Sequence, residues 1–297
     1  MQPARFVLLA LLAIVAVVYS LSWATTLTRR RQWQWPTWFE AIVGFVTDFL
    51  DTLGIGSFAV TTSLYRIFHN VETQLLPGTL NVGHALPTIA QALIFIAIIE
   101  VDSVTLGLLI VASVAGAWLG ASVVAALPRI AIKRGMAYAL LVAAALMLMN
   151  RLEVLPGGGT ALKLVGAKLV LAMGCNFLFG ALMTIGVGAY APIMVMVSLL
   201  GMDQSAAFPI MMGSCAFLMP AASSEFLRSG RYHIGAALGL TLLGVPGVLL
   251  AAPLVGSLPL QSLNWLVLIV VIYTAVMMLR TKETGVADSK RLAHERK

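Results

Sequence analysis

Long apolar runs account for most of this 297-residue chain, and they constrain its fold more than any other feature. A helix that spans a bilayer needs about 20 apolar residues, and most of the runs reach that length. Only 10% of the residues are charged, against about 25% in soluble domains. The sequence therefore predicts an all-α polytopic membrane protein. The runs lie at about 6–27, 38–69, 75–99, 103–127, 132–150, 163–201, 205–226, 233–256 and 261–280.

The first run fits either a signal peptide or a retained transmembrane helix. Residues 6–18 have the length of a signal-peptide core, and Ser22-Trp23-Ala24 is a poor cleavage site. The apolar run continues to Leu27, and Arg29–Arg31 follows it. A run of this length with a basic cluster behind it favours a retained helix whose N-terminus lies outside. We therefore assign residues 1–31 to an N-terminal transmembrane helix and its basic loop.

Two stretches, 38–69 and 169–201, are too long for one span and too short for two. Each has a glycine pair in its middle, Gly54-Ile55-Gly56 in the first and Gly186-Val187-Gly188 in the second. Glycine pairs interrupt helices. The pattern therefore predicts that each stretch forms two half-length helices that meet near the middle of the membrane.

The basic residues test this interpretation, because short cytoplasmic loops are enriched in Lys and Arg. If each long run enters and returns on the same side, most of the 19 Lys and Arg residues share one face. If each crosses once, the basic clusters alternate between faces. The positive-inside rule therefore favours the hairpin arrangement. This arrangement places Glu100, Asp102, Glu153 and Asp203 outside. The net charge of +7 is then explained by orientation, and nucleic-acid binding is not expected. The clusters are Arg29–Arg31, Arg129 with Lys133 and Arg134, Arg228 with Arg231, and the tail from Arg280 onward.

The two broken stretches also reveal an internal repeat. Thr184 lies 132 residues after Thr52, and at this offset Thr52–Ala59 matches Thr184–Ala191. Pro77 falls on Pro209 in the same register. The first copy (38–150) starts inside and the second (163–280) starts outside, so the repeats are inverted. Glycine pairs also let helices pack closely, but two at matching positions favour a transporter. The polar segment 281–297 follows as a cytoplasmic tail.

Two carboxylates stand close to the first break. Asp48 and Asp51 are three positions apart, so they share a helix face. Each costs at least about 2.5–3.5 kcal/mol inside a membrane, which indicates a function. We predict that they couple transport to a proton or sodium ion, with Thr52 and Thr184 beside them. The alternative is that Asp51 bonds backbone groups freed by the break while Asp48 faces a watery vestibule. The second repeat has Gly180 and Met183 at the carboxylate positions.

Three segments resemble a known family. Thr52–Ala59, its repeat Thr184–Pro192, and Phe208–Ser214 are similar to segments of the TauE/SafE sulfite exporters, also called toluene-sulfonate uptake permeases. The similarity extends over nearly the whole chain. It implies secondary transport of small sulfur-containing or organic anions across the bacterial inner membrane. Many family members carry a third glycine after each G-x-G, where this chain has Ser57 and Ala189.

Helix termini suggest where such an anion binds. The second half of each broken stretch starts near Ser57 or Ala189, and the first turn of a helix leaves backbone N–H groups unpaired. The helix dipole adds about half a positive charge there. In inverted repeats these two termini converge at the midplane, which suits a small oxyanion.

Asn81 and His84 share a face in the third run, and Ser214 is their counterpart in the second repeat. Gln91 is a weaker candidate. The predicted substrate-binding residues are Gly54, Gly56, Ser57, Phe58, Asn81, His84, Gly186, Gly188, Tyr190 and Ser214.

The sequence thus predicts an ion-coupled secondary anion transporter, with a cytoplasmic C-terminus and inverted repeats that each hold a broken helix pair. The expected partners are a small anion, H⁺ or Na⁺, and the lipid bilayer. The sequence is compatible with either a monomer or a homo-oligomer. No metal or other cofactor is expected. Enzyme motifs such as H-E-x-x-H, G-x-S-x-G or a Walker loop are missing from the sequence. The alternatives are an intramembrane enzyme that uses Asp48, Asp51 and His84 on a lipid-like substrate, and a passive anion channel.

Overall fold

The computed structural model describes residues 3–30, 33–154, 159–186 and 188–255, with isolated positions between 268 and 280. Within this part of the chain the regular elements are helices, apart from one isolated bridge between Ala161 and Met202. The predicted all-α class is confirmed. The tail 281–297 and most of the last apolar run, 261–280, lie outside the described residues. The helices are α1 (Pro3–Arg30), α2 (Trp38–Thr52), α3 (Ser57–Ile67), α4 (Leu76–Gly83), α5 (Ala85–Ile98), α6 (Ser103–Ala126), α7 (Arg129–Arg151), α8 (Gly166–Met183), α9 (Tyr190–Leu199), α10 (Ala207–Ser229) and α11 (Ile234–Ala251).

Five helical segments of the described chain are long and apolar enough to cross a membrane. A sixth span arises if α4 and α5 are counted together, because they are bent by 43° at a short break. The protein is therefore a multi-pass membrane protein. The five segments are Ala4–Arg29, Ser103–Val124, Gly166–Met183, Gln204–Ser229 and Ile234–Leu254.

The first break lies where the sequence predicts it. A capping box between Thr37 and Glu40 starts α2, and the chain leaves the helix after Thr52. Gly54 and Gly56 have φ of +91° and +90°, a backbone region that other residues rarely adopt. At 1.5 Å per residue, α2 is about 22 Å long and α3 about 16 Å. Both are shorter than the roughly 30 Å hydrocarbon core, as expected for half-length helices.

The second break is less symmetrical than expected. Gly186 has φ of +97°, and α9, with 10 residues, is a half-length helix. The preceding helix α8 has 18 residues, about 27 Å, and qualifies as a span by itself. It begins at Gly166, before the predicted stretch, and it continues unbroken through Gly174 and Gly180. Gly180 lies against the backbone of Ser113 on α6.

The helix boundaries follow the repeat offset read from the sequence. Thr184 is 132 residues after Thr52, and the same offset carries α3 onto α9, α4 with α5 onto α10, and α6 onto α11, each to within about two residues at the N-terminal end. The packing is related in the same way, since α2 packs mainly against α11 and α8 against α6. The first helix of each repeat, α2 or α8, therefore packs against the last helix of the other repeat, α11 or α6. One difference is that α10 is continuous at the position equivalent to the α4–α5 bend.

The N-terminal helix packs on this bundle by one face. Leu12, Tyr19, Trp23 and Leu27 are buried, at the spacing of a single helix stripe. The Tyr19 hydroxyl donates to the backbone carbonyl of Val82 at 2.9 Å. This bond reaches α4, and α1 also contacts α5 and α10. Many of its other apolar side chains are exposed, as a lipid-facing helix requires.

Candidate functional site

A small cavity lies where the two helix breaks approach each other. Gly56, Ser57 and Phe58 line it from the first break, and Gly188 and Ala189 line it from the second. Its volume is about 20 Å³, enough for about one water molecule. The sequence predicts a binding site between these segments, and the fold brings them together around one space. The other lining residues are Asp51, Thr88, Met183, Met211, Met212, Cys215 and Met219.

The cavity has two chemically different walls. Asp51, Ser57 and Thr88 form a polar wall on α2, α3 and α5, whereas the opposite wall from α8 and α10 is rich in sulfur. Within that second wall the Cys215 thiol lies 3.4 Å from the Met183 thioether sulfur. Methionine side chains are unbranched and flexible. The sulfur-rich wall is therefore suited to change shape around a ligand, while the polar wall supplies hydrogen bonds.

The polar wall is organised by Asp51. Its Oδ1 accepts a hydrogen bond from the backbone N–H of Ser57 at 2.9 Å. Ser57 is the first residue of α3, so this N–H is one of the groups that a helix leaves unpaired. Gly56 precedes it and has no side chain to cap the helix, so Asp51 supplies the cap from α2. A carboxylate therefore stands where the sequence predicts that an anion binds.

A second contact fixes the same carboxylate. Gln91 on α5 donates from Nε2 to Asp51 Oδ2 at 3.2 Å and to Thr52 Oγ1 at 3.0 Å. The Thr52 hydroxyl in turn donates to the Asp48 backbone carbonyl at 2.8 Å. Gln91 therefore holds Asp51 beside the helix terminus, and Thr52 fixes the position of the Gln91 amide.

Asp48 has a different partner. Its Oδ1 lies 2.8 Å from His84 Nδ1, and His84 Nε2 lies 3.0 Å from the Thr61 hydroxyl. All three side chains are fully buried. The order of hydroxyl, imidazole and carboxylate is that of a hydrolytic triad, but the described lining of the cavity includes none of the three. The ring of Phe58, which does line the cavity, lies 5.8 Å from the His84 ring, so the Asp48–His84 pair sits directly behind the cavity wall.

The second oxygen of Asp48 is enclosed by helix α11. Asp48 Oδ2 is buried without a hydrogen-bond partner among the described residues. A Cβ added at Gly244 would overlap this oxygen and would lie 2.7 Å from Pro87 Cγ. Only glycine therefore lets α11 approach so closely. An unpaired buried carboxylate oxygen is costly, which points to a role for Asp48 beyond packing.

Other predicted wall residues connect helices near the cavity instead of lining it. Asn81 Nδ2 donates to the backbone carbonyls of Pro77 at 2.8 Å and Met183 at 3.3 Å, which ties α4 to the end of α8. Ser214 Oγ accepts from Asn176 Nδ2 at 2.9 Å, between α10 and α8.

The remaining predicted residues belong to the second break and its surroundings. The Thr184 hydroxyl donates to the backbone carbonyl of Ala181 at 2.6 Å, at the C-terminal cap of α8. Gly54 and Gly186 provide the positive φ that the breaks require. Tyr190 begins α9, and its side chain lies outside the described residues.

Thr88 is a lining residue that the sequence interpretation missed. Its hydroxyl is buried and has no hydrogen-bond partner in the described part of the chain. A signal was present, because His84, Thr88 and Gln91 recur at four and three positions, the spacing of one helix face. The methionines of the sulfur-rich wall carried no such signal, since methionine is common in apolar cores.

The many apolar spans, the two helix breaks and the cavity between them are typical of a membrane transport protein. A family model described as Sulfite exporter TauE/SafE matches residues 2–147. This match confirms the predicted family resemblance over residues 2–147. The matched segment includes α1, the first break and the Asp48–His84 pair. No curated protein and no solved structure matches the chain.

Proposed function

We propose that this protein is a secondary transporter that moves a small sulfur-containing or organic anion across the bacterial inner membrane. The anion binds in the cavity between the two helix breaks. One observation carries the proposal: Gly56–Phe58 and Gly188–Ala189, from corresponding positions of two repeats, line the same cavity. Sites at the interface of repeats, formed by interrupted helices, are the arrangement that alternating access uses.

The polar wall supplies the groups that an anion needs. The N-terminus of α3 offers the Ser57 N–H and the positive end of a helix with 11 residues. The Thr88 hydroxyl is a buried donor with no described partner. Among the described residues, neither Lys nor Arg lines the cavity. Recognition then rests on backbone dipole and hydroxyl groups, which bind a charge without fixing a permanent counter-charge in the membrane.

The carboxylates supply the coupling ion. A buried carboxylate beside an anion site repels the anion unless a proton or a sodium ion neutralises it. Asp51 meets the cavity directly, and Asp48 shares a hydrogen bond with His84, whose two ring nitrogens can donate or accept protons. We assign proton coupling to these groups, and place His84 with the coupling residues instead of the substrate-binding ones.

Binding requires the cavity to open. An oxyanion with a central atom and several oxygens is larger than the single water that about 20 Å³ accommodates. The flexible sulfur-rich wall provides one route to more room. The second is withdrawal of the Asp51 carboxylate from the Ser57 amide.

Reconstituted protein in proteoliposomes tests the proposal. Vesicles preloaded with unlabelled thiosulfate or methanesulfonate should transiently concentrate the labelled anion from outside, because a carrier exchanges substrates through one site. An imposed proton gradient should drive accumulation, and a sodium gradient alone should not. Asp51→Asn should abolish gradient-driven accumulation, and Asp48→Asn should reduce it less. Glu225→Gln, near the C-terminal end of α10 and outside the cavity lining, serves as the matched carboxylate control.

Three results would contradict parts of this assignment. Flux without counterflow identifies a channel. Accumulation driven by a sodium gradient alone would contradict the assignment of the proton as the coupling ion. Normal accumulation by both Asp48 and Asp51 variants makes the carboxylates structural.

A further inference from the structure

Asp51 occupies the best anion-binding group of the cavity. Its Oδ1 lies 2.9 Å from the Ser57 amide nitrogen, the distance of a charge-assisted hydrogen bond. This amide opens α3, and both Asp51 and Ser57 line the cavity. An anion that takes the same N–H must displace the carboxylate.

A second observation marks the same spot as a ligand site. Thr88 also lines the cavity, and this residue is only 1% exposed. Its hydroxyl has no hydrogen-bond partner within the described chain. Buried hydroxyls normally have a partner. Its donor is therefore free for a group that enters beside the Ser57 amide.

We propose that Asp51 is the built-in occupant of the anion site: its carboxylate holds the Ser57 amide in the empty carrier, and the anion binds there after Asp51 takes up a proton. This inference rests on the proposed function, and it adds that protonation of Asp51 is the condition for anion binding. The proton comes from the solution on the loading side and goes to a carboxylate oxygen of Asp51. No covalent bond other than this O–H forms or breaks.

The charge balance explains why such an exchange suits a membrane. The empty site holds one negative charge on Asp51, and the loaded site holds one on a monovalent anion while Asp51 is neutral. The interior therefore never carries both charges, whose repulsion in a medium of low dielectric is large. One proton enters with each negative charge, and the released Asp51 side chain makes room for the ligand.

The titratable groups around Asp51 enter the same balance. Asp48 lies on α2, His84 at the α4–α5 bend, and Cys215 faces the cavity from α10. Gln91 on α5 and Ser57 on α3 contact Asp51 but do not titrate. Asp48 and His84 are bonded to each other, behind the cavity lining, so Asp51 is the carboxylate that touches the ligand.

Calorimetric titration of the purified full-length protein tests the inference. Methanesulfonate is the probe, because it stays ionised across the neutral range and releases no proton of its own. Repeating the titration in buffers of different ionisation enthalpy counts the protons taken up. The wild type should take up one proton per anion, and its affinity should fall about tenfold per pH unit once Asp51 is ionised in the empty state. Asp51→Asn and Asp51→Ala should take up none, bind independently of pH, and bind more tightly than the wild type at high pH.

Glu225→Gln is the matched control, since it removes a carboxylate that does not line the cavity and leaves Asp51 at the amide. It should keep proton uptake. Equal proton uptake in the wild type and both Asp51 variants overturns the inference, and so does loss of binding in Asp51 variants that keep a cooperative melt. If methanesulfonate and thiosulfate bind to none of the folded forms, the proposed function fails together with the inference.

Discussion

His84 Nδ1 lies 2.8 Å from Asp48 Oδ1, and both side chains are fully buried. The contact joins α2 to the bend between α4 and α5, where His84 ends one helix and begins the next. His84 also faces the Phe58 ring that lines the cavity. The bend, the first break and the cavity are therefore linked through His84.

This pair should be energetically coupled. Asp48→Asn or His84→Gln leaves the other partner buried with a mismatched neighbour, which costs about 3–5 kcal/mol when a buried pair is broken. The double variant should lose less than the two single losses combined, by about 0.5–3 kcal/mol. Thermal unfolding in detergent of the four proteins measures this cycle. Strictly additive losses would show that the two groups do not interact.

Gly244 should tolerate no side chain. A Cβ there would overlap Asp48 Oδ2 and crowd Pro87, so Gly244→Ala should lower stability by about 1–3 kcal/mol and impair transport. Gly174→Ala on α8 is the matched control, because a Cβ there meets nothing within 4 Å. It should leave the melting temperature unchanged or slightly higher. Equal behaviour of the two variants would mean that α11 does not pack closely on Asp48.

The Thr88 hydroxyl should matter for binding and not for folding. Thr88→Val keeps the shape and removes a donor that has no described partner, so stability should hold. Anion affinity should fall by about 1.5–3 kcal/mol, the value of a hydrogen bond to a charged group. Ser57→Ala keeps the backbone N–H but removes a hydroxyl donor from the cavity lining, so it should weaken binding by a similar amount. Thr62→Val is the control, since Thr62 is equally buried and unpartnered in the described chain but is not among the lining residues. An effect of Thr62→Val as large as that of Thr88→Val would contradict the site.

The two ends of the molecule should be distinguishable by chemical labelling. Charge placement predicts that the Glu100–Ser103 loop faces the periplasm, while Arg129–Arg134 and the C-terminus face the cytoplasm. Single cysteines at Ser103 and Ser289, in a background without Cys175 and Cys215, should react with an impermeant reagent from opposite sides. Labelling of both from the same side would exclude the hairpin arrangement and the inverted repeat.

The sequence predicted the parts of this architecture that depend on local chemistry. Gly54, Gly56 and Gly186 mark the breaks because residues other than glycine rarely adopt a φ near +90°. The repeat offset also agrees with where α9 and α10 begin. The hydrogen bond from the Ser57 N–H to the Asp51 carboxylate could not be predicted from the sequence. Six positions across an irregular turn follow no helical period, so the chain path has to be known first.

The chemical partners of the polar residues were equally hidden. Asp48 and Asp51 share a face, yet one pairs with His84 and the other with the α3 terminus. Which partner each takes depends on how α4 and α5 pack against α2, a long-range arrangement. The length of α8 was also missed, because nothing in its sequence marks where the helix starts before residue 169.

The location of the bound anion tests the central claim most directly. Selenite resembles sulfite and carries an atom with a strong anomalous X-ray signal, so a crystal of the protein grown with selenite locates it without ambiguity. The account predicts one selenium peak in the cavity between the two breaks, with its oxygens within hydrogen-bond distance of the Ser57 amide nitrogen and Thr88 Oγ1, and with the Asp51 carboxylate turned away. A selenium peak elsewhere in the protein, with Asp51 still on the Ser57 amide, would contradict it.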